Sequence, residues 1–178
     1  MGRQIVLLRG INLASKRRVG MAELRKLLEA HGYDDVRTHL QSGNVVLTSR
    51  ASPSALKRKL EKELADGLRM EIEVFVRTRD ELADVVKRNP LGKVADNGSR
   101  YIVYFLSAKP SAKVVKELAE ADIGPDRVAA SGRELYSWHP NGLQRSPLAK
   151  LLSGDRLGVS ATNRNWNTVT KLLAIADE

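Results

Sequence analysis

The 178-residue chain contains no cysteine. This absence excludes disulfides, thiolate catalysis, Cys-ligated zinc and iron–sulfur clusters. Long apolar runs are also missing, since the N-terminus offers only the four consecutive apolar residues from Ile5 to Leu8. Such a run is too short for a signal-peptide core or a membrane span. These absences predict a cytoplasmic protein with no membrane partner.

Motifs for metals, cofactors and common nucleophiles are missing as well. His31, His39 and His139 show no H-x-x-x-H or H-E-x-x-H spacing, so no metal site and no cofactor are predicted. No G-x-S-x-G elbow occurs. A Ser-His-Asp site assembled in three dimensions stays open, because triads need no fixed sequence spacing. Catalytic residues are therefore unknown at this point, and so is whether the protein is an enzyme.

Aromatic residues are few: two Phe, two Trp and four Tyr. A sheet with exposed aromatics can stack bases, as in RNA-recognition motifs. The RNP1 pattern is absent, however, and Ile5–Leu8 is aliphatic where an RNP2-like strand would carry an aromatic. Core packing is therefore the preferred interpretation for most aromatic side chains.

Positive charge is in excess, with 30 Lys and Arg against 21 Asp and Glu, a net charge of +9. Residues 1–90 carry 18 basic and 12 acidic groups, and residues 91–178 carry 12 and 9, so the excess lies mainly in the first half. A basic chain favours anionic partners such as nucleic acid or phosphorylated metabolites. The alternative is a solvated basic surface that aids solubility.

Apolar spacing and turn residues predict a β-α-β-β-α-β order for residues 1–78, the arrangement of a ferredoxin-like unit. Thr78 and Glu81 form a T-x-x-E capping box that opens a connecting helix, so residues 79–99 are expected to be that helix and a loop. The expected elements are a strand at Ile5–Leu8, a helix from Met21 to Leu28, a hairpin of Val36–Leu40 and Val45–Thr48, a helix opened by Ser52-Pro53, and a strand at Ile72–Val76.

The same order is predicted again in residues 100–178, followed by an extra C-terminal helix. The expected elements are a strand at Tyr101–Leu106, a helix at Val114–Leu118, a hairpin of Val128–Ala130 and Leu135–Trp138, a helix opened by Ser146-Pro147, a strand at Leu157–Val159, and a final helix from Asn163 to Ala176. The sequence thus predicts an α+β protein of two tandem ferredoxin-like halves packed together, which indicates duplication of one unit.

A glycine-flanked basic loop at residues 10–20 follows the first strand and precedes the first helix. Free backbone N–H groups and the helix dipole favour an anion in this context. The spacing resembles a Walker A loop but misses it twice, at Ser15 and at Arg17. Nucleic-acid backbone is the preferred ligand, and three solvated cations are the alternative. The candidate anion-binding residues here are Gly10, Asn12, Lys16, Arg17 and Arg18.

Two further places carry candidate binding residues. In the predicted final helix, Thr162 is a plausible N-cap, and Arg164, Thr168 and Lys171 are expected to share one face. That face, with Asn165, is a candidate anion site, and a salt bridge from Arg164 to the neighbouring half is the alternative. In the first hairpin, turn chemistry explains Gly43 and Asn44. The candidates there are Gln41, Ser42 and Asn44.

Four motifs carry a family resemblance: G-I-N at 10–12, M-A-E-L-R at 21–25, L-Q-S-G-N-V-V at 40–46 and T-N-R-N-W-N-T-V-T-K-L at 162–172. Through them nearly the whole chain resembles the bacterial conserved hypothetical proteins classed as domain of unknown function 1697. The resemblance implies two ferredoxin-like units and no established activity. The family loop G-I-N-V-G-G-K-N differs here, because Ala14 and Ser15 replace its two glycines, whereas Lys16 matches.

Three functional hypotheses follow. The leading one is non-catalytic binding of nucleic acid through residues 16–18 and the Arg164/Lys171 face. The second is an enzyme or sensor for a small phosphorylated or acidic metabolite, in which Gln41, Asn44, Arg164 and Asn165 would converge on one pocket. The third is a homodimeric interaction module that uses an exposed sheet edge.

Overall fold

Two four-stranded antiparallel sheets and six α-helices make up the computed structural model, which describes all 178 residues. The α+β class predicted from the sequence is confirmed. The chain divides into two units, the first formed by residues 1–84 and 171–178 and the second by residues 85–170. Each unit contains one of the sheets.

In the first sheet the strand order is β2-β3-β1-β4, and all neighbouring strands are antiparallel. The central strands β1 and β3 pair from Gly2 with Ser49 to Leu7 with Asn44. The elements are β1 (Gly2–Leu8), α1 (Met21–Ala30), β2 (Asp34–His39), β3 (Asn44–Ser49), α2 (Pro53–Leu68) and β4 (Val74–Thr78), and α3 (Arg79–Arg88) follows β4 directly.

The second sheet has the corresponding strand order, β6-β7-β5-β8, and is also fully antiparallel. Its central strand β5 pairs with β7 on one side and β8 on the other. The elements are β5 (Tyr101–Leu106), α4 (Ala112–Glu120), β6 (Arg127–Ser131), β7 (Glu134–Trp138), α5 (Pro147–Leu152), β8 (Ala161–Asn165) and α6 (Trp166–Asp177).

Helices α1 and α2 cover one face of the first sheet. Val6 and Leu8 of β1 pack with Leu24 of α1 and with Leu56 and Leu60 of α2. In the second unit, Ile102, Tyr104 and Leu106 of β5 pack with buried leucines of α4 and α5. In both sheets, side chains two apart along the central strand share the helix-covered face, as the period of a β-strand requires.

Predicted helix caps are present at the starts of α2, α3 and α5. Ser52 Oγ accepts a hydrogen bond from Ala55 N at 3.3 Å, and Ser146 Oγ accepts one from Ala149 N at 2.8 Å. Thr78 Oγ1 accepts from Glu81 N at 3.1 Å, while Glu81 Oε2 accepts from Thr78 N at 2.8 Å. The T-x-x-E capping box read from the sequence is therefore confirmed, and it turns β4 directly into α3.

The last strand and the start of the last helix differ from the sequence prediction. The final strand is not Leu157–Val159 but Ala161–Asn165, which pairs with β5 from Leu106 to Ile102. Thr162 and Arg164 are buried whereas Asn163 is exposed, which is the period-2 pattern of a strand. The helix begins at Trp166, and its N-cap is Asn165 rather than Thr162, because Asn165 Oδ1 accepts from Thr168 N at 2.9 Å.

Replacing Gly43 with alanine should destabilise the first unit strongly. Gly43 has φ +85°, and an added Cβ would lie 2.7 Å from Ile11 Cδ1 and 2.8 Å from Leu8 Cβ. We expect the left-handed backbone to cost about 1–2 kcal/mol and the overpacking about 1–3 kcal/mol more. Urea unfolding measures the sum.

Gly154→Ala is the matched control, because Gly154 has φ +81° but no atom within 4 Å of an added Cβ. It should show the backbone cost alone. Equal losses for the two variants would contradict the close packing described around Gly43.

Candidate functional site

The basic loop between β1 and α1 folds back on itself. Asn12 N donates to Arg17 O at 3.0 Å, and Lys16 N donates to Leu13 O at 3.1 Å. Asn12, Ala14 and Arg17 have φ values of 53°, 53° and 51°, in the left-handed region that non-glycine residues rarely occupy. The loop therefore has a defined conformation that exposes its cations at the tip.

The side chain of Asn12 joins this loop to the turn between β2 and β3. Its Oδ1 accepts from Val19 N at 2.8 Å, and its Nδ2 donates to Val19 O at 2.8 Å and to Gln41 O at 2.6 Å. Two of the regions singled out in the sequence, residues 10–20 and residues 41–44, are thus adjacent. The sequence does not reveal this, because nothing local marks Gln41 O as a partner of Asn12.

Buried apolar residues anchor both ends of the loop in the hydrophobic core. Ile11 and Val19 are each 2% exposed. Ile11 packs so close to Gly43 that a Cβ built on Gly43 would lie 2.7 Å from Ile11 Cδ1. The Gly43 carbonyl accepts a hydrogen bond from Leu8 N at 2.9 Å. The two ends of the loop and the adjacent turn therefore share one packed base.

Exposed side chains cover this base, and we call them the loop–turn surface. Lys16 and Arg18 make no ion pair, whereas an Arg17 Nη2–H group donates to the Glu71 carbonyl. Two leucines of the same loop and turn are 66% and 55% exposed. The loop–turn surface consists of Leu13, Lys16, Arg17, Arg18, Leu40 and Gln41.

The other turn residues have roles inside the fold. Asn44 is fully buried, and its Nδ2 donates to His39 O at 2.8 Å and to Ser42 Oγ at 2.9 Å. Gly10 has φ 66° and starts the loop. Asn44 and Ser42 shape the turn, and the polar side chains of Gln41 and Ser42 are both exposed.

Grouping charges by structural unit changes where the positive excess lies. The first unit carries 17 basic and 14 acidic side chains, a balance of +3, and the second carries 13 and 7, a balance of +6. The sequence halves suggested the opposite ranking, because the acidic C-terminus and the basic residues after Asp84 change units. Any case for the loop–turn surface therefore depends on its local, unpaired cations rather than on net charge.

The predicted helical face containing Arg164 does not form, because Arg164 lies on β8 before α6 begins. Arg164 is 8% exposed, and its Nη1 donates to Thr162 Oγ1 at 3.0 Å and to Asn163 O at 2.6 Å. Burial lowers the pKa of Arg164 to about 10, so it stays charged at neutral pH. Thr168 is buried, and only Lys171 of the predicted face is exposed.

Most of the C-terminal motif at residues 162–168 has a structural role in the second unit. Asn165 caps α6, and Trp166 stacks on Tyr101 with ring centroids 4.8 Å apart. Trp166 N donates to Gly98 O at 3.0 Å, and a Cβ on Gly98 would lie 2.1 Å from Asn167 Oδ1. These contacts join the loop before β5 to the start of α6.

A buried polar chain in the second unit contains serine, histidine and aspartate. Ser137 Oγ lies 2.7 Å from His139 Nε2, His139 Nδ1 lies 2.7 Å from Ser146 Oγ, and Ser146 Oγ donates to Asp126 Oδ2 at 2.7 Å. Since Ser146 gives its proton to Asp126, it accepts from His139 Nδ1–H, which leaves Nε2 to accept from Ser137.

This polar chain is structural rather than catalytic. All four side chains are at most 2% exposed, and the serine hydroxyls and both imidazole nitrogens are hydrogen-bonded to one another and to Asp126. Asp126 Oδ2 also accepts from Leu148 N at 3.2 Å, and Ser146 caps α5. The hydrogen bonds of this polar chain connect the N-terminus of α5 to the end of β7.

No three His, Asp or Glu side chains lie close enough together to hold a metal ion. No helix has the length and apolar character needed to cross a membrane.

Fold and site define an α+β protein with two antiparallel four-stranded sheets and an exposed basic loop–turn surface. Residues 1–136 match the family described as protein of unknown function DUF1697, and the chain belongs to that family. The solved structure of the conserved bacterial protein SP0830 from Streptococcus pneumoniae is similar, with a TM-score of 0.79, 22% identity and 98% of each chain covered. That likeness shows a shared fold. No curated protein matches the chain.

Removing the Asn12 amide should loosen the loop. In Asn12→Gly, the new glycine adopts the left-handed backbone without strain, but the three side-chain hydrogen bonds are lost. We therefore expect the free energy of unfolding to fall by roughly 2–4 kcal/mol. Chemical denaturation measures this loss. Asn141→Gly, at an exposed asparagine, is the control and should cost under about 1 kcal/mol. Similar losses at both positions would argue against the bridging role of Asn12.

Stability should fall as the pH drops below about 6.5. Burial lowers the pKa of His139 below its ordinary value of 6.5, partly opposed by Asp126, and burial with the nearby Lys171 charge lowers the pKa of His39. In this range the unfolded chain binds more protons than the folded chain, so folding weakens as pH falls below about 6.5. Urea unfolding across the range measures the slope.

His139→Asn should flatten that slope, whatever its effect on absolute stability. His31→Asn, at an exposed histidine outside the buried polar chain, is the control, and an equal change of slope in the two variants would contradict the prediction. An unchanged slope in His139→Asn would contradict a neutral, buried imidazole.

Proposed function

We propose that the loop–turn surface binds the sugar-phosphate backbone of nucleic acid without catalysing a reaction. The observation that carries this proposal is that Lys16 and Arg18 are exposed and unpaired on a loop that Asn12 holds in one conformation. Cations without carboxylate partners can replace condensed counterions on phosphates, and this release drives binding. A preformed loop lowers the entropy cost of that contact.

Base recognition is not expected from this surface. Seven of the eight aromatic side chains are buried, and the remaining one, Trp166, is partly buried and stacked on Tyr101. Without an exposed aromatic platform, bases have nothing on which to stack. Phosphate contacts carry little sequence information. The proposed binding is therefore weak, tolerant of sequence and sensitive to salt.

At the level of the fold, we infer that residues 1–78 and 100–178 are two ferredoxin-like halves joined by residues 79–99. Support comes from the matching strand orders β2-β3-β1-β4 and β6-β7-β5-β8. Arg77 and Arg164 occupy the fourth position of β4 and of β8, both are buried, and each donates to the carbonyl of the preceding residue. A helix follows directly after each strand, which favours duplication.

The alternative hypothesis is an enzyme or sensor for a small phosphorylated or acidic metabolite, bound by Gln41, Asn44, Arg164 and Asn165. The polar groups of Asn44, Arg164 and Asn165 make hydrogen bonds within the fold, so these three side chains already have structural roles.

Fluorescence anisotropy of labelled oligothymidine at several salt concentrations tests the proposal. We expect binding whose logarithmic affinity falls with log salt at a slope of about −1.5 to −2, as two or three phosphate contacts require. The double variant Lys16→Ala/Arg18→Ala should weaken binding roughly tenfold at low salt and leave a shallower slope, between zero and about −0.7.

Lys113→Ala/Lys116→Ala is the charge-matched control, since these α4 lysines have side chains 85% and 74% exposed. It should bind oligothymidine like the unchanged protein. Absence of binding at low salt, or an equal loss in the control, would rule the proposal out.

A further inference from the structure

A cleft of about 530 Å³ opens at one end of the first sheet. It forms where β1 begins, where β3 leads into α2, and where β4 leads into α3. Its volume falls within the range of small-molecule sites. The residues that matter for its chemistry are Arg3, Gln4, Arg50, Ala51, Thr78 and Arg79.

Three arginines line the cleft. Arg3 pairs with Asp35 at 3.4 Å, and Arg79 pairs through Nε with Asp177 at 2.6 Å. Arg50 is exposed and makes no ion pair. Arg50 is therefore the cation available to an incoming anion, because the charges of Arg3 and Arg79 are offset by Asp35, Asp177 and Asp80.

Two helices begin at the rim of the same cleft. Helix α2 has 16 residues and starts after Ser52, and α3 has 10 residues and starts after Thr78. The backbone amides of Arg79 and Asp80 come before the first intrahelical hydrogen bond of α3. Helix N-termini favour anions, and phosphate above all.

An unpaired buried acceptor provides an independent indication of a ligand. Gln4 lines the cleft and is 3% exposed. Its Nε2 donates to Ala51 O at 2.7 Å, which fixes the orientation of the amide, and its Oε1 has no hydrogen-bond partner. A buried oxygen without a donor costs stability, so this position favours a ligand that supplies an N–H or O–H group.

We propose that this cleft binds a small phosphorylated molecule bearing a hydroxyl or amine group. The phosphate lies against Arg50 and the N-terminus of α3, and the hydroxyl or amine donates to Gln4 Oε1. None of these residues belongs to the loop–turn surface, so each of the two sites can be tested independently of the other.

Isothermal titration calorimetry with glycerol 3-phosphate tests the site, because this probe has both a phosphate and hydroxyl donors. We expect saturable binding, an affinity roughly tenfold lower in Arg50→Gln, and no change in Arg58→Gln, an exposed α2 arginine without an ion pair. Arg50→Gln should leave oligothymidine binding unchanged, which separates this site from the loop–turn surface.

Methyl phosphate, which lacks a carbon-borne hydroxyl, tests the role of Gln4. We expect it to bind more weakly than glycerol 3-phosphate, and Gln4→Met should remove that difference while phosphate binding persists. No binding of glycerol 3-phosphate, or equal losses in Arg50→Gln and Arg58→Gln, would overturn the proposal. A preference for glycerol 3-phosphate that survives Gln4→Met would overturn the assigned role of Gln4.

Discussion

The side-chain amide of Asn12 makes three hydrogen bonds on which the candidate binding surface depends. They close the basic loop at Val19 and attach it to the β2–β3 turn at Gln41. Ile11 and Val19, both buried, add an apolar base to this polar link. Because the loop is held on two sides, the backbone that carries its unpaired cations has a defined conformation before a ligand binds.

The first unit offers two environments for anions, and they are built differently. The loop–turn surface combines exposed side-chain charges with exposed leucines. This arrangement favours the phosphates that are spaced along a polymer. The cleft near Gln4 uses helix N-termini and one unpaired arginine, and its volume of about 530 Å³ suits a small molecule. Net charge does not distinguish the two sites, because both lie in the first unit, whose charge balance is +3. Local pairing of charges is the physical quantity that matters.

Features with a local signal were predicted well from the sequence. Ser52, Thr78 and Ser146 cap helices because capping depends on residues within one turn. The β8–α6 boundary was wrong because Thr162–Asn165 is polar, and only its pairing with β5 makes it a strand. The Asn12–Gln41 bond, the buried His139 chain and the cleft were out of reach, since each joins residues that are distant in sequence or depends on burial.

The most direct test of the account is a ¹⁵N–¹H correlation spectrum of the protein, recorded during titration with oligothymidine. If the loop–turn surface is the binding site, the shifts should concentrate on backbone amides of residues 13–18 and 40–42. The amides around Gln4 and Arg50, and those of the second unit, should move little. Shifts confined to those other regions, or an unchanged spectrum at low salt, would contradict the account.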